Sequence, residues 1–430
     1  MSKEKKVFVI GWEDFNIEKL NHLPESRECE FLPAIYFSEM RRMKQISIPR
    51  LLEIADERIR EVGNIDAIVN YFDFPGSVLI PIITAKYCLT GPSLTSVLKC
   101  EHKYWSRIEQ QKVIPENIPD FKAFDIYDDS AYDKIPFTPP FWIKPVKSYH
   151  SYLAFKITGP EQFNECIDKV RKNIDSVMMP FTHILNEYRI EGEVPGITEK
   201  MIAETEIAGN QCTAEGYVFN AEPHVYGIVD SVSVEGGSSF LRYEYPSSLP
   251  PKIAERMTDL SKKVIVQTGL MNSAFNIEYF YNKRTDQIKL LEINPRISQA
   301  HSDLFEKVHG ISHHEVMLNL ALNRRPEKFQ KKGDFNVAAH FMHRCFKSGI
   351  VKEVPSDKKI EDIKKKYPDL KIKVNIEKGV NLDDLPPHHV DSYSYVLANI
   401  FLGAHNRKAL LTKYNDVIDR LAIQVDFREN

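Results

Sequence analysis

The chain opens with short apolar runs separated by a stretch of helical periodicity. Val7-Phe8-Val9-Ile10 ends at Gly11, and Ala67-Ile68-Val69-Asn70 repeats the pattern, so both read as buried strands. Between them Leu51, Ile54, Ala55, Ile59 and Val62 recur at helical spacing, which predicts a helix over Ile48–Val62. Val78 to Cys88 is apolar enough for another helix, with Pro81 as an early-turn residue or kink, and Gly91-Pro92 punctuates the chain. Alternating strands and helices predict an α/β layer domain over residues 1 to about 92. A helix carrying Lys99, Glu101, His102, Lys103, Trp105 and Arg107 comes next. Pro115, Pro119, Pro136, Pro139 and Pro140 then break the chain into loops before the strand Phe141-Trp142-Ile143-Lys144.

From Ile197 onward strands dominate. Thr213 to Phe219 and Val225 to Val229 are separated by a hairpin turn over Asn220 to His224, and a helix over Pro251 to Thr268 is closed by Gly269. Two alternating segments, Ala274 to Asn282 and Ile288 to Asn294, flank the turn-like Lys283-Arg284-Thr285-Asp286-Gln287 and predict a second hairpin. A helical region ends near Arg324-Arg325-Pro326, and the charged run Glu327 to Asp334 places a boundary near residue 330. Beyond it Val337 to Phe341 and Leu370 to Ile376 read as short strands, with a basic helix over Lys358 to Lys366 and a last helix over Asn406 to Leu421. This tail is expected to be an α+β appendage.

Composition narrows the class. The 430 residues suffice for about three folding units. A net charge of −3, with 27% charged and 43% hydrophobic residues, disfavours disorder, a collagen-like chain and a broad nucleic-acid footprint. No apolar run approaches the roughly 18 residues of a membrane helix, and no signal peptide is expected at Met1 to Lys6. The six cysteines include no C-x-x-C pair, as free thiols in a reducing compartment would, so the cytoplasm is the expected location. The run Val7 to Gly11 begins like a dinucleotide-binding turn, but Gly11-Trp12-Glu13-Asp14 lacks the later glycines that such a site needs.

Chemistry concentrates in the second hairpin. If its tip is centred on Thr285, Glu278 lies opposite Glu292 and Asn276 opposite Asn294. These four then share one face, and Ile277, Tyr279, Leu291 and Ile293 share the apolar other face. Paired strand residues have Cβ atoms about 5 Å apart, so the two carboxylates repel unless a cation or proton intervenes. Glu278, Glu292 and the Asn294 carbonyl form an oxygen-only set suited to Mg²⁺, and Arg296 adds a donor fork for a phosphate or acyl-phosphate oxygen. A solvated strand face whose acids pair with lysines is an equally good reading of so short a motif, and a β-bulge would undo the pairing.

Asn276-Ile277-Glu278-Tyr279 followed by Leu291-Glu292-Ile293-Asn294-Pro295-Arg296 resembles the metal-binding hairpin of the ATP-grasp superfamily. The order of segments over roughly residues 1 to 325 is similar too. The resemblance implies a multidomain α/β and α+β chain: a pre-ATP-grasp α/β domain (1–92), an ATP-grasp domain (93–328) with a lid at about 136–203, and a C-terminal α+β subdomain (329–430).

Carried over position by position, Lys103 in Glu101-His102-Lys103-Tyr104-Trp105 resembles the first ATP lysine and Lys144 in Trp142-Ile143-Lys144-Pro145 the second. Taken alone, Lys103 would more often be a surface helix charge. Met201 to Gly209 resembles the hinge strand lining the adenine pocket, where main-chain groups of Glu206 and Ile207 would read the base edge beside Glu204; a simple connecting strand is the other reading. Gln211 falls where the family more often has Glu for the ribose hydroxyls. Glu215 follows a family pattern that puts an acid near the phosphates or second substrate; a polar strand residue is the other reading. The lid loop, usually glycine-rich, here reads Pro145-Val146-Lys147-Ser148-Tyr149-His150-Ser151-Tyr152, leaving Ser148, Ser151 and Lys147 as donors. Ser298 and His301 continue from Arg296 into the expected acceptor site, His301 as a substrate contact, a proton acceptor or a core histidine. His313-His314 and His388-His389 receive no ligand role, because adjacent side chains diverge.

The implied activity is ATP-dependent joining of a carboxylate to an amine through an acyl phosphate. ATP and Mg²⁺ are the expected cofactors, with two ions and Mn²⁺ as a substitute. The expected partners are the small-molecule carboxylate and amine, with no nucleic acid and no membrane, and a homodimer is the default assembly. Two rivals stand beside this: a biotin-carboxylase-like enzyme acting on bicarbonate, and a nucleotide-binding protein without catalysis.

Overall fold

The computed structural model describes residues 5–42, 46–148, 152–188, 190, 200–235, 237, 239–385 and 394–427. Strands β1 (Lys5–Trp12), β2 (Cys29–Tyr36) and β3 (Ala67–Asn70) form a parallel sheet in the order β2-β1-β3. The connecting helix Ile48–Val62 has the predicted bounds because both ends are written locally. Ser47 accepts the Arg50 N–H, Pro49 starts the first turn, and Gly63 closes the last turn with φ at 85°.

The helix expected around Lys99 to Arg107 is two helices, Leu94–Glu101 and Lys103–Val113. His102 separates them: its extended backbone ends the first, and its imidazole accepts the Trp105 N–H at 3.2 Å to cap the second. Lys103 therefore stands at the positive end of a helix rather than along its flank.

Strands β4 (Phe121–Phe124), β5 (Phe141–Pro145), β6 (Phe155–Ile157) and β7 (Met201–Thr205) form an antiparallel sheet ordered β4-β7-β5-β6, and the long helix Pro160–Glu187 follows β6. The next strands are β8 (Asn210–Phe219), β9 (Glu222–Ser233), β10 (Phe240–Tyr245), β11 (Ser273–Asn282) and β12 (Gln287–Asn294). After them come β13 (Val337–Cys345), β14 (Gly349–Glu353), β15 (Lys371–Val374), β16 (Tyr395–Ala404) and β17 (Gln424–Phe427). Eight of these make one sheet, ordered β12-β11-β8-β9-β10-β13-β16-β15, while β14 and β17 pair separately.

The tail is thus not set apart from the main sheet. β13, β15 and β16 extend it, although they pack a core of their own against the helix Arg407–Leu421. The β8–β9 turn is tighter than predicted, with only Asn220 and Ala221 between the strands, both at positive φ. Among the described residues no helix is long and apolar enough to cross a membrane.

Candidate active site

The hairpin carries the predicted pairs: Asn276 faces Asn294, Ile277 faces Ile293, and Glu278 faces Glu292. The register then shifts, because Leu291 is an extra residue on β12, and Tyr279 pairs with Leu290. Two departures cancel: the tip is centred half a residue before Thr285, and the bulge restores the carboxylate pairing. Leu290 rather than Leu291 accordingly fills the core, fully buried, and the expectation for Leu291 is corrected. The freed Leu291 carbonyl accepts from Arg107 Nη2 at 2.7 Å.

β8 pairs on the other side of β11, aligning Thr213 with Glu278 and Glu215 with Asn276. One sheet face therefore bears Glu215, Asn276 and Asn294 in one row and Thr213, Glu278 and Glu292 in the next. Burial and the neighbouring Glu292 push the Glu278 carboxyl up to about 8. Burial also opposes ionisation of Glu292, but Lys103 and Lys144 outweigh it and hold that carboxyl below its ordinary value. Asn294 Nδ2 donates to Asn276 Oδ1 at 3.0 Å, and Arg296 Nη2 is 3.4 Å from Asn294 Oδ1. Gln211, expected at the ribose, donates to Glu278 Oε2 at 2.6 Å in this structure.

These residues fit a hard cation. Two close carboxylates and an amide carbonyl offer oxygens only, and one carboxylate holds a raised proton affinity that a divalent ion would replace. Among the described residues no cluster of three or more His, Cys, Asp or Glu side chains is placed to hold a metal, so water and phosphate oxygens would complete this shell.

Cations close the site from three other elements. Lys103 Nζ is 3.8 Å from Glu292 Oε2 and 3.3 Å from the Ser148 carbonyl. Lys144 Nζ is 2.6 Å from Glu204 Oε2, and Arg107 Nε is 2.7 Å from the other Glu204 oxygen. Burial works against the Glu204 charge, yet Arg107 and Lys144 bring its carboxyl down to about 2. Arg296 Nη2 binds Asp73 at 2.9 Å, and Lys147 lies 3.4 Å from Asp73 and 2.6 Å from Glu101. The loop after Lys144 has no glycine but is pinned at both faces: Val146 accepts the Lys103 N–H at 2.7 Å and donates to Lys200 at 3.0 Å.

Asp73, Glu101 and Arg107 escaped sequence reasoning. Each is an isolated charge in the sequence, and only folding reveals its partner. The remaining expected residues divide. Glu206 is exposed and paired with Lys156 at 2.7 Å, with Ile207 half-buried beside it, past the end of β7. Ser148 is buried near Lys103, while Ser151 lies outside the described residues, as do His388 and His389. Ser298 precedes the helix Gln299–His309, and its carbonyl accepts from His313 Nδ1 at 3.1 Å; His301 Nδ1 is 2.6 Å from Glu215 Oε1. His314 is structural, bridging Ser302 and Asn16 at 2.8 and 2.9 Å.

Comparison with known proteins agrees with this architecture. The family model for the ATP-grasp domain matches residues 137–303. No curated protein matches the chain. Among solved structures, an L-amino acid ligase from Bacillus licheniformis is similar over 100% of both chains, at 14% identity and a TM-score of 0.73. A biotin carboxylase β-γ-ATP complex from Campylobacter jejuni covers 99% of this chain and 93% of that one, at 14% identity and 0.67. Carboxyaminoimidazole ribonucleotide synthase from Aspergillus clavatus, complexed with ATP, covers 98% of this chain and 99% of that one, at 13% identity and 0.67. The chain carries an ATP-grasp domain and has the ATP-grasp fold, as the hairpin motif implied.

Proposed function

We propose that this protein is an ATP-dependent ligase that activates a small carboxylate as an acyl phosphate and joins it to an amine, releasing ADP and phosphate. The carrying observation is one half-buried constellation: a facing carboxylate pair, Glu278 and Glu292, with Lys103, Lys144 and Arg296 gathered around it. A binding module has less use for paired acids that repel until a cation arrives. In this reading Glu278, Glu292 and Asn294 hold Mg²⁺, which when bound screens phosphate charge during transfer. Lys103 and Lys144 neutralise the phosphates, and Arg296 stabilises the charge that grows on the transferred group. Main-chain groups of Glu206 and Ile207 take the adenine edge, Gln211 turns from Glu278 to the ribose, and Ser148 and Ser151 cover the phosphates. Glu215, Ser298 and His301 face the second substrate.

Asp73 beside Arg296 places opposite charges at one end of the site. A zwitterionic amino acid offers the matching pair, its carboxylate to Arg296 and its ammonium to Asp73, which favours amino acids as the carboxylate class. The division into 1–92, 93–328 and 329–430, a homodimer and a cytoplasmic location belong to the same proposal.

The test measures ADP and phosphate release from ATP and Mg²⁺ against amino acids, small carboxylates and bicarbonate, with Glu292→Gln as control. Turnover that needs a carboxylate and amine pair supports the ligase. Turnover with bicarbonate alone moves the assignment to carboxyphosphate chemistry, and ATP binding without turnover on any substrate refutes the reading.

A further inference from the structure

The polar face of the main sheet continues past the hairpin into a second cluster. Glu215 on β8 is wholly buried, with Oε1 2.6 Å from His301 Nδ1 and Oε2 3.8 Å from His313 Nδ1. His301 lies in the helix Gln299–His309 and His313 begins the helix His313–Ala321, each at most 3% exposed. Tyr226 is the extra residue where β9 bulges opposite Glu215, and its ring meets His313 at 5.5 Å. Among the described residues Glu215 Oε2, His301 Nε2, His313 Nε2, Tyr226 Oη and Arg296 Nε all lack a hydrogen-bond partner. Leaving a buried polar atom unpaired is unfavourable, so five in one cluster point to a polar ligand as their missing partner.

We propose that Glu215, hydrogen-bonded to His301, accepts the proton of the attacking amine in the second half of the reaction. This rests on the ligase reading above. The amine enters as an ammonium and gives one proton to the open Glu215 oxygen. Its freed lone pair forms the C–N bond to the acyl carbon, the carbon–oxygen bond to phosphate breaks with its electrons leaving on phosphate, and the second proton passes to that phosphate.

The surroundings suit a base. Burial lifts the Glu215 carboxyl to about 7, against the pull of His313 and Arg296, so it exchanges protons near neutrality. Burial drives His301 to about 3, and His313 and His340 to about 4, keeping these imidazoles neutral. The other ionisable groups facing the pair are Tyr226 from β9, Tyr243 from β10 with its ring 4.7 Å from His301, and Arg296 beyond β12. With Glu215 ionised, His301 donates from Nδ1 and leaves Nε2 as a second open acceptor.

The experiment compares dipeptide with hydroxamate formation from the twenty amino acids, ATP and Mg²⁺, because hydroxylamine is uncharged at neutral pH and needs no base. In Glu215→Gln the dipeptide rate is expected to fall by about 100-fold or more, while the ratio of hydroxamate to dipeptide rises at least about tenfold. The residual dipeptide rate should climb with pH as free amine becomes available. His301→Gln should shift the ratio the same way by less, and it decides the matter if Glu215→Gln loses its melting transition. Parallel loss of both products, or a pH profile identical to the parent's, overturns the proposal while the ligase reading stands. Absence of hydroxamate and of ADP release in the parent overturns both.

Discussion

Arg107→Met tests whether the buried ion network supports the nucleotide side of the site. Arg107 is 2% exposed and its guanidinium makes three bonds: to Glu204 at 2.7 Å, to Gln110 at 2.5 Å and to the Leu291 carbonyl at 2.7 Å. Methionine keeps much of the apolar stem and removes the charge. Glu204, 3% exposed, then keeps only Lys144. Removing one partner of a buried pair costs about 3–5 kcal/mol, and the surviving Lys144 places this case near about 3 kcal/mol. The charge state of Glu204 points the same way: Arg107, together with Lys144, overcomes burial and holds its carboxyl at about 2 instead of the ordinary 4.5. The folded-state value is depressed, so this stability is present above pH 4.5 and lost as pH falls toward 2. Urea unfolding followed by tryptophan fluorescence reads the loss, since buried Trp105 lies two residues from Arg107. In a cycle with Glu204→Gln the coupling should reach about 2 kcal/mol. A loss below about 1 kcal/mol, or effects that add within about 0.5 kcal/mol, would refute the network argument.

Other substitutions separate binding from folding. Glu292→Gln should abolish Mg²⁺-dependent turnover with little change in melting temperature, since it removes a ligand charge and keeps the shape; an unchanged rate would remove the metal assignment. Lys144→Ala should weaken ATP binding by about tenfold or more, measured by calorimetry on protein that a melting transition shows to be folded; equal affinity would reject its phosphate role. Asp303→Asn should lower stability by about 3 kcal/mol in the same urea assay, because the carboxylate, 1% exposed, lies 2.5 Å from both Lys19 and Lys371. Burial opposes the Asp303 charge, but Lys19 and Lys371 hold its carboxyl well below the usual 3.8, so that contribution persists above pH 3.8 and disappears only in stronger acid. A variant as stable as the parent would show that the two lysines repel no more without it.

Local chemistry was legible wherever one segment contained the whole signal. The helix Pro251–Thr268 runs between its own proline and Gly269 at φ 72°, and the helix Ile48–Val62 between Ser47 and Gly63, so no distant contact was needed to place their ends. The β11–β12 hairpin is also local. Its alternation put Glu278, Glu292 and Asn294 on one face, although the bulge at Leu291 and the exact centre of the turn were not readable.

The sequence by itself therefore determined the oxygen-bearing hairpin, the ATP-grasp motif and the order of the segments. Tertiary structure alone decided which charges meet. Arg107 and Glu204 are 97 positions apart, and Asp73 and Arg296 are 223 apart, so their pairing follows from how β3, β7 and β12 are brought together rather than from any nearby pattern. The same holds for the partners of Glu215: the resemblance put this acid near the phosphates or second substrate, but two helices about 90 positions downstream deliver His301 and His313 to it. Periodicity records which face a side chain takes; burial without water, and hence the charge state of that side chain, exists only after the faces have been assembled.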